Sequence, residues 1–295
     1  MGVGSSSRWI ACLLLLASSA AAQTGGVISG TVKDQTGAVL PDAVVRVVNE
    51  ESGVAITVRT NAAGMYRAAS LSPGIYRLEV EMPGFERLVR LKLPLAVGQI
   101  LAVDLALQVG SHNDTVNVEA SASLVETQSS DVTQVINRRM VAGLPMPNRA
   151  ATSLVALAPG IVMVDPGSGA ENYPVFSVAG GRVRNQNFTL DGGSVNNAVG
   201  LTRPQQMTSL PMDAMQEFRV ISNNYAAEYG HSTGGIINLS TRAGTNEFHG
   251  SIFEDARNDA FDARNFFAAQ RTPIRMHQFG ASLGGPIRKD RTHFF

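Results

Sequence analysis

The sequence predicts a mixed, strand-dominated chain of three successive pieces: an all-β sandwich, a small α+β domain and the start of an antiparallel transmembrane β-barrel. Three observations predict it. Apolar and polar residues alternate with period two between closely spaced turns over residues 27–107. Over residues 131–245 a helix-like stretch is mixed with Gly-rich turns and short apolar strands, and beyond Gly244 partly alternating runs resume in the manner of membrane-spanning strands. The length, 295 residues, suits two domains or three small ones.

Composition narrows the partners. Charged residues make up 16% of the chain and hydrophobic ones 44%, against roughly 25% charged in typical soluble domains, so Ser, Thr, Asn and Gly must supply much of the polar surface. Lys plus Arg and Asp plus Glu number 24 each, leaving no net positive field to drive counterion release from a phosphate backbone. Nucleic acid is not an expected partner. Lys33, Lys92 and Lys289 are the only lysines and the arginines are scattered, so no polybasic membrane-surface patch is expected either. At the N-terminus, Arg8, the apolar run of residues 9–17 and Ala20-Ala21-Ala22 before Gln23 form a secretory signal peptide over residues 1–22. The apolar run falls well short of the ~20 residues of a membrane-spanning helix. Cys12, the single cysteine, lies inside that leader, so the mature chain is expected to fold without disulfides or thiolate metal sites.

The sandwich is assigned to residues 24–108. Its clearest strand is residues 75–82, where Tyr76, Leu78, Val80 and Met82 alternate with Arg77, Glu79 and Glu81; residues 100–107 repeat the pattern with Leu101, Val103, Leu105 and Leu107 on one face. Asp34-Gln35-Thr36-Gly37, Glu51-Ser52-Gly53, Asn61-Ala62-Ala63-Gly64, Ser72-Pro73-Gly74 and Met82-Pro83-Gly84 supply turns at strand-to-strand spacing. About seven strands in about 80 residues, with no helical stretch, predict a compact antiparallel sandwich. At Gly30-Thr31-Val32, at residues 37–41 and 60–66, and at Leu71-Ser72-Pro73-Gly74-Ile75-Tyr76 the segment resembles the carboxypeptidase regulatory-like domain. That resemblance implies a transthyretin-like or carbohydrate-binding-like fold and a non-catalytic accessory module.

Enzymatic readings find no residues to carry them. A zinc peptidase needs three protein ligands converging on one metal with a water left over, yet His112, His231, His249, His277 and His293 offer neither H-x-x-E nor H-E-x-x-H spacing. There is no G-x-S-x-G elbow, P-loop or G-x-G-x-x-G. Asp255, Asp259 and Asp262 lack the interleaved ligand loop of a calcium site and read as solvated. No catalytic residue, metal or cofactor is expected.

Residues 109–130 are polar, poor in aromatics, and read as an extended linker. Within them Asp114, Thr115, Val116, Asn117, Val118, Glu119 and Ala120 form a strand-competent stretch with alternating valines. Two local readings stay open: a strand without a sheet, which invites a partner's edge, or a sandwich strand that simply runs on.

Residues 131–245 contain the helix-like stretch 132–140 and several specific strings: residues 154–161, Gly180-Gly181-Arg182 through Asp191-Gly192, and residues 212–220 running to Ala226-Ala227-Glu228-Tyr229-Gly230 and residues 234–244. In this order they resemble the plug of TonB-dependent outer-membrane transporters. Residues 246–295, with the runs 248–254 and 278–287 and the segment 257–267 between them, resemble the first barrel strands of the Oar-like branch of that family. The resemblance implies that residues 114–120 are the TonB box, that TonB with its inner-membrane energising complex is the partner, and that the barrel meets outer-membrane lipid. It also implies an unidentified extracellular ligand, with the sandwich and the box in the periplasm. Arg182 and Arg184 are candidates for a plug apex or for a buried structural salt bridge.

A plugged barrel of about 22 strands at about 9–11 residues each needs roughly 200 residues, and only about 50 follow the plug. The sequence is therefore expected to be the N-terminal part of a longer receptor, because an open barrel would leave backbone groups unpaired in hydrocarbon. Energised uptake across a Gram-negative outer membrane is the leading functional expectation. The alternative is a secreted or surface β-sandwich protein that binds a glycan or peptide through residues 24–108.

Overall fold

The computed structural model describes residues 25–110, 115–119, 130–143, 151–164, 175–182, 185–196, 211–226, 229–230, 232–264, 266–267, 269–271 and 273–295. Two units divide it: one contains the sandwich and the plug through residue 241, and the other contains residues 50–54 and 242–295.

In the sandwich the strands are β1 (Gly26–Asp34), β2 (Val44–Asn49), β3 (Ala55–Arg59), β4 (Met65–Leu71), β5 (Gly74–Glu81), β6 (Arg87–Leu95), β7 (Ile100–Ala102), β8 (Leu105–Leu107) and β9 (Thr115–Glu119). One sheet runs β4-β1-β7, with β8 also on β1, and the other runs β3-β2-β5-β6-β9. Alternating residues of the two inner faces, among them Ile28, Val32, Val45, Val47, Leu78, Val80 and Leu107, form the core; each such side chain removed from water contributes about 1.5–3 kcal/mol. Turn chemistry follows the residues. Asp34 Oδ1 accepts from the amides of Thr36 and Ala38 at 2.8 and 2.9 Å, and Asn61 Oδ1 accepts from Ala63 and Met65, both at 3.0 Å. Gly64 takes φ +69° where a Cβ would come within 2.9 Å of the Val32 carbonyl oxygen, so the turn requires glycine.

Three expectations for this domain change. The sandwich is not wholly antiparallel, since β1 pairs in parallel with β7 and β8, and β6 does so with β9. The single strand expected over residues 100–107 is broken between β7 and β8, where Asp104 Oδ1 accepts from both the amide and the hydroxyl of Thr31 at 2.8 and 2.6 Å. Glu79, expected on the solvent face, is only 6% exposed. It accepts from Arg46 at 3.2 Å, Arg77 at 2.8 Å and Arg87 at 3.0 Å, so the polar side of β5 becomes an ionic hub.

Burial alone would raise the Glu79 carboxyl, but the hydrogen bond from Arg77 and the charges of Arg77, Arg46 and Arg87 outweigh it and hold the group below its ordinary value of 4.5. A folded pKa below the unfolded one gives stability that is present above the ordinary glutamate range and lost as pH falls through the lowered value. Glu79→Gln should therefore cost about 2 kcal/mol at neutral pH and flatten the acid limb of the stability curve. Thermal melts of the sandwich between pH 3 and 7 read both effects, and an unchanged acid limb would refute the hub.

In the plug, β10 (Val132–Asn137) leads into a short helix α1 (Arg138–Gly143) and a 3-10 segment over Ala151–Leu157. There follow β11 (Ile161–Val164), β12 (Val175–Val178), β13 (Asn187–Leu190), β14 (Gly193–Ser194), a 3-10 turn at Met212–Ala214, β15 (Met215–Asn223) and β16 (Ile236–Thr241). The main sheet runs β10-β15-β16-β13-β14, and β11 and β12 form a separate hairpin. The helix expected over residues 132–140 is a strand for six residues and a helix only afterwards. Val132, Thr133, Val135 and Ile136 are β-branched and lie against β15 in antiparallel register, so a partner strand decides what local periodicity left ambiguous.

The second unit contributes β17 (His249–Asn258), β18 (Arg275–Arg288) and β19 (Thr292–Phe294), paired antiparallel in order. Both long strands extend beyond the runs read from sequence. Their register puts Ile252 with Ala281 and Glu254 with Phe279 on one face, and Ser251 with Ser282 and Asp255 with Gln278 on the other. Ile252 and Phe279 are 89% and 80% exposed, while the Ser251 and Ser282 hydroxyls meet at 2.7 Å. A largely apolar face backed by a polar one is the dyad pattern of a lipid-facing barrel wall. β18 begins 17 residues after β17 ends, whereas β19 begins four residues after β18 ends, a spacing that suits the long outer and short inner connections of such barrels. Asp262 pairs with Arg257 at 2.9 Å and both side chains stay partly exposed. Among the described residues no cluster of His, Cys, Asp and Glu could hold a metal ion.

Candidate coupling site

The proposed site begins at the edge of the sandwich. Val109 bridges Phe85, and the Gly110 amide donates to the Gly84 carbonyl at 3.4 Å, anchoring the chain where it leaves the core. Thr115, Val116, Asn117, Val118 and Glu119 then run parallel to β6, opposite Arg87, Leu88, Val89, Arg90 and Leu91. Of the two local readings, the backbone follows the second: the stretch has a sheet, with β9 as its outermost strand. Asp114 and Ala120 lie outside the described residues.

Beyond the connector, Asp131 enters the plug and approaches Arg219 of β15 at 3.9 Å, both side chains being buried. Arg219 sits there because the plug sheet buries both its faces. On one face Ile136, Phe218, Val220, Phe188, Ile237 and Leu239 build the apolar core. Strand alternation places Glu217, Arg219, Thr189, Asn238 and Ser240 on the other. Thr189 Oγ1 donates to Asn238 Oδ1 at 3.0 Å. The Glu217 carboxylate accepts the amide of Val97 from the turn between β6 and β7. Burial raises the Glu217 pKa, opposed by that amide and by the Arg219 charge, so the sandwich meets the plug at a carboxyl that is costly to ionise.

The sequence left Arg182 and Arg184 open between a plug apex and a buried salt bridge. Arg182 is exposed and Arg184 lies outside the described residues; Arg219 carries the bridge instead. The usable signal was the period-two polarity of Glu217 and Arg219 in β15, and of Asn238 and Ser240 in β16, within strands too apolar to be solvated.

Close backbone approach governs the segment before β16. A Cβ on Gly181 would lie 2.9 Å from Gly234 Cα, and one on Gly235, at φ +93°, would lie 2.5 Å from Val178 Cγ1. Asn185 closes the knot, its carbonyl accepting from the amides of Thr233 and Gly234 at 3.2 and 3.1 Å.

Comparison with known proteins follows this division. Family models match in chain order: a carboxypeptidase regulatory-like domain over residues 27–108, a TonB-dependent receptor plug domain over 124–236 and an outer membrane beta barrel domain over 240–295. The chain thus carries the plug domain of TonB-dependent receptors followed by part of an outer membrane beta barrel domain. Among individual relatives, the TonB-dependent transporter Oar of Myxococcus xanthus is 30% identical over 303 aligned residues, covering 97% of this chain and 27% of that protein. The chain thus spans about a quarter of that relative's length. Similar solved structures include the siderophore receptor PirA of Acinetobacter baumannii, 23% identical with a TM-score of 0.44 over 55% of this chain and 23% of that one. The ferric enterobactin receptor PfeA of Pseudomonas aeruginosa, a G324V mutant, is 20% identical with a TM-score of 0.41 over the same shares. These relatives are transporters and receptors.

Proposed function

We propose that this chain serves energised uptake of a ligand across the outer membrane, with residues 114–120 as the strand on which TonB pulls. The reading is carried by one observation: a strand-forming segment at the outer edge of the accessory sandwich precedes a plug whose first strand begins 13 residues after Glu119. TonB takes the segment by strand addition, which needs only backbone hydrogen bonds and an accessible extended edge. Force then travels along the connector to Asp131 and β10, the outermost strand of the plug sheet. It loads the Asp131–Arg219 pair and the β10–β15 ladder before the apolar core. No covalent chemistry is required, and energy comes from the inner-membrane proton gradient. Cells bearing the receptor should accumulate ligand only while that gradient stands. A protonophore should abolish accumulation and leave surface binding of labelled ligand unchanged; accumulation that persists would refute energised uptake.

A further inference from the structure

The edge of β6 is built for a strand of one length. On one side β6 is paired to β5 over Leu88–Arg90 and Leu93–Leu95, with a bulge at Leu91 and Lys92 between them. On the other, the pairing-competent stretch is closed at its start by the Phe85–Val109 bridge. It is closed at its end by Lys92, whose φ of +58° leaves the extended region, and by Pro94, which cannot donate to a ladder. Between these limits the Glu86 amide donates to the Gln108 carbonyl at 2.9 Å, and the five residues that remain, Arg87–Leu91, are each matched by β9. Devices that block edge pairing thus stand beyond the occupied stretch and not within it.

We propose that this edge is a strand-acceptor site whose occupant is residues 115–119, and that the sandwich holds the segment there in competition with TonB. This rests on the assignment of residues 114–120 as the segment TonB takes. The competition is unequal by geometry. Thr115 follows the anchored Gly110 by five residues, so the segment meets β6 as an intramolecular partner at an effective concentration on the order of millimolar, whereas TonB must arrive from solution. TonB then engages only the fraction of receptors in which β9 has left β6, and the accessory sandwich sets that fraction. A receptor would thereby keep its coupling strand withheld until release.

Residues 1–295 contain one cysteine, Cys12 in the leader, so no other thiol in the sandwich or plug competes with an introduced pair, and any cysteine elsewhere in the receptor is replaced by serine. In the full-length receptor, Val89→Cys with Asn117→Cys joins residues in register, within the ~4.4–6.8 Å Cα separation a disulfide tolerates. Val89→Cys with Glu119→Cys is out of register by two residues. Oxidation should cross-link the first pair several-fold more than the second. The cross-linked receptor should lose capture by the purified TonB C-terminal domain and regain it under dithiothreitol. Equal cross-linking of the two pairs would overturn the acceptor site, and undiminished capture by the oxidised first pair would overturn the competition. If deletion of residues 114–120 leaves capture intact, the assignment of the TonB segment fails, a result separate from the cross-linking ratio.

Discussion

A receptor lacking residues 114–120 should bind its extracellular ligand normally, fail to retain TonB in a pull-down, and take up no ligand. The all-or-none outcome follows from where the segment sits. It lies in sequence between the two cores described, the last residue of the sandwich core being Leu107 and the first of the plug core Ile136. Its removal costs the sandwich an outermost strand of five residues, while the β3-β2-β5-β6 sheet keeps its ladders. What is lost on this reading is the grip. Replacement by a Gly/Ser stretch of equal length tests the same point without shortening the leash, because glycine weakens strand formation while the tether keeps its reach. Uptake that survives both changes would remove the coupling role from residues 114–120.

How far the sequence could be read depended on which forces decided each element. Period-two alternation over residues 75–82 and the turn strings between strands specified the sandwich because one face of each strand is buried and the turns demand particular residues, as at Asn61 and Gly64. The same alternation misplaced Glu79: a sequence shows the polarity of a face but not the three arginines from β2, β5 and β6 that cover it. Residues 132–140 carried β-branched side chains at spacings also compatible with a helix, and only pairing with β15 settles them. The lone strand over residues 100–107 hid its break because Asp104 turns away to serve Thr31, 73 residues earlier. In the coupling site, the chemistry of residues 114–120 was legible as strand propensity in a polar setting. That the stretch runs on as a sandwich strand was one of two open readings; that residues 115–119 take β6 as partner, in parallel, was not legible, since parallel pairing at an outer strand leaves no local pattern. Arg219 was missed for a related reason: its burial depends on a sheet that covers both its faces.

Arg219→Ala should destabilise the plug by about 3–5 kcal/mol, the usual consequence of removing one member of a buried ion pair. Asp131 would be left buried without the guanidinium 3.9 Å away, and Glu217 would lose a charge that favours its ionised form. The loss should localise to the β10–β15 ladder, so hydrogen exchange at the amides of β15 should quicken far more than at β2 or β5 of the sandwich. Substituting both partners separates charge from packing: Arg219→Met with Asp131→Leu replaces the pair by apolar side chains, and such swaps are often neutral or stabilising. The double variant should therefore regain most of the exchange protection. It should also raise the force needed to detach β10, because an apolar contact, unlike an ion pair, is not screened by the water that enters as the strand peels away. A receptor with a stable plug but impaired uptake would then mark Arg219 and Asp131 as a yielding contact in the coupling path. Normal uptake in the double variant would confine the pair to stability.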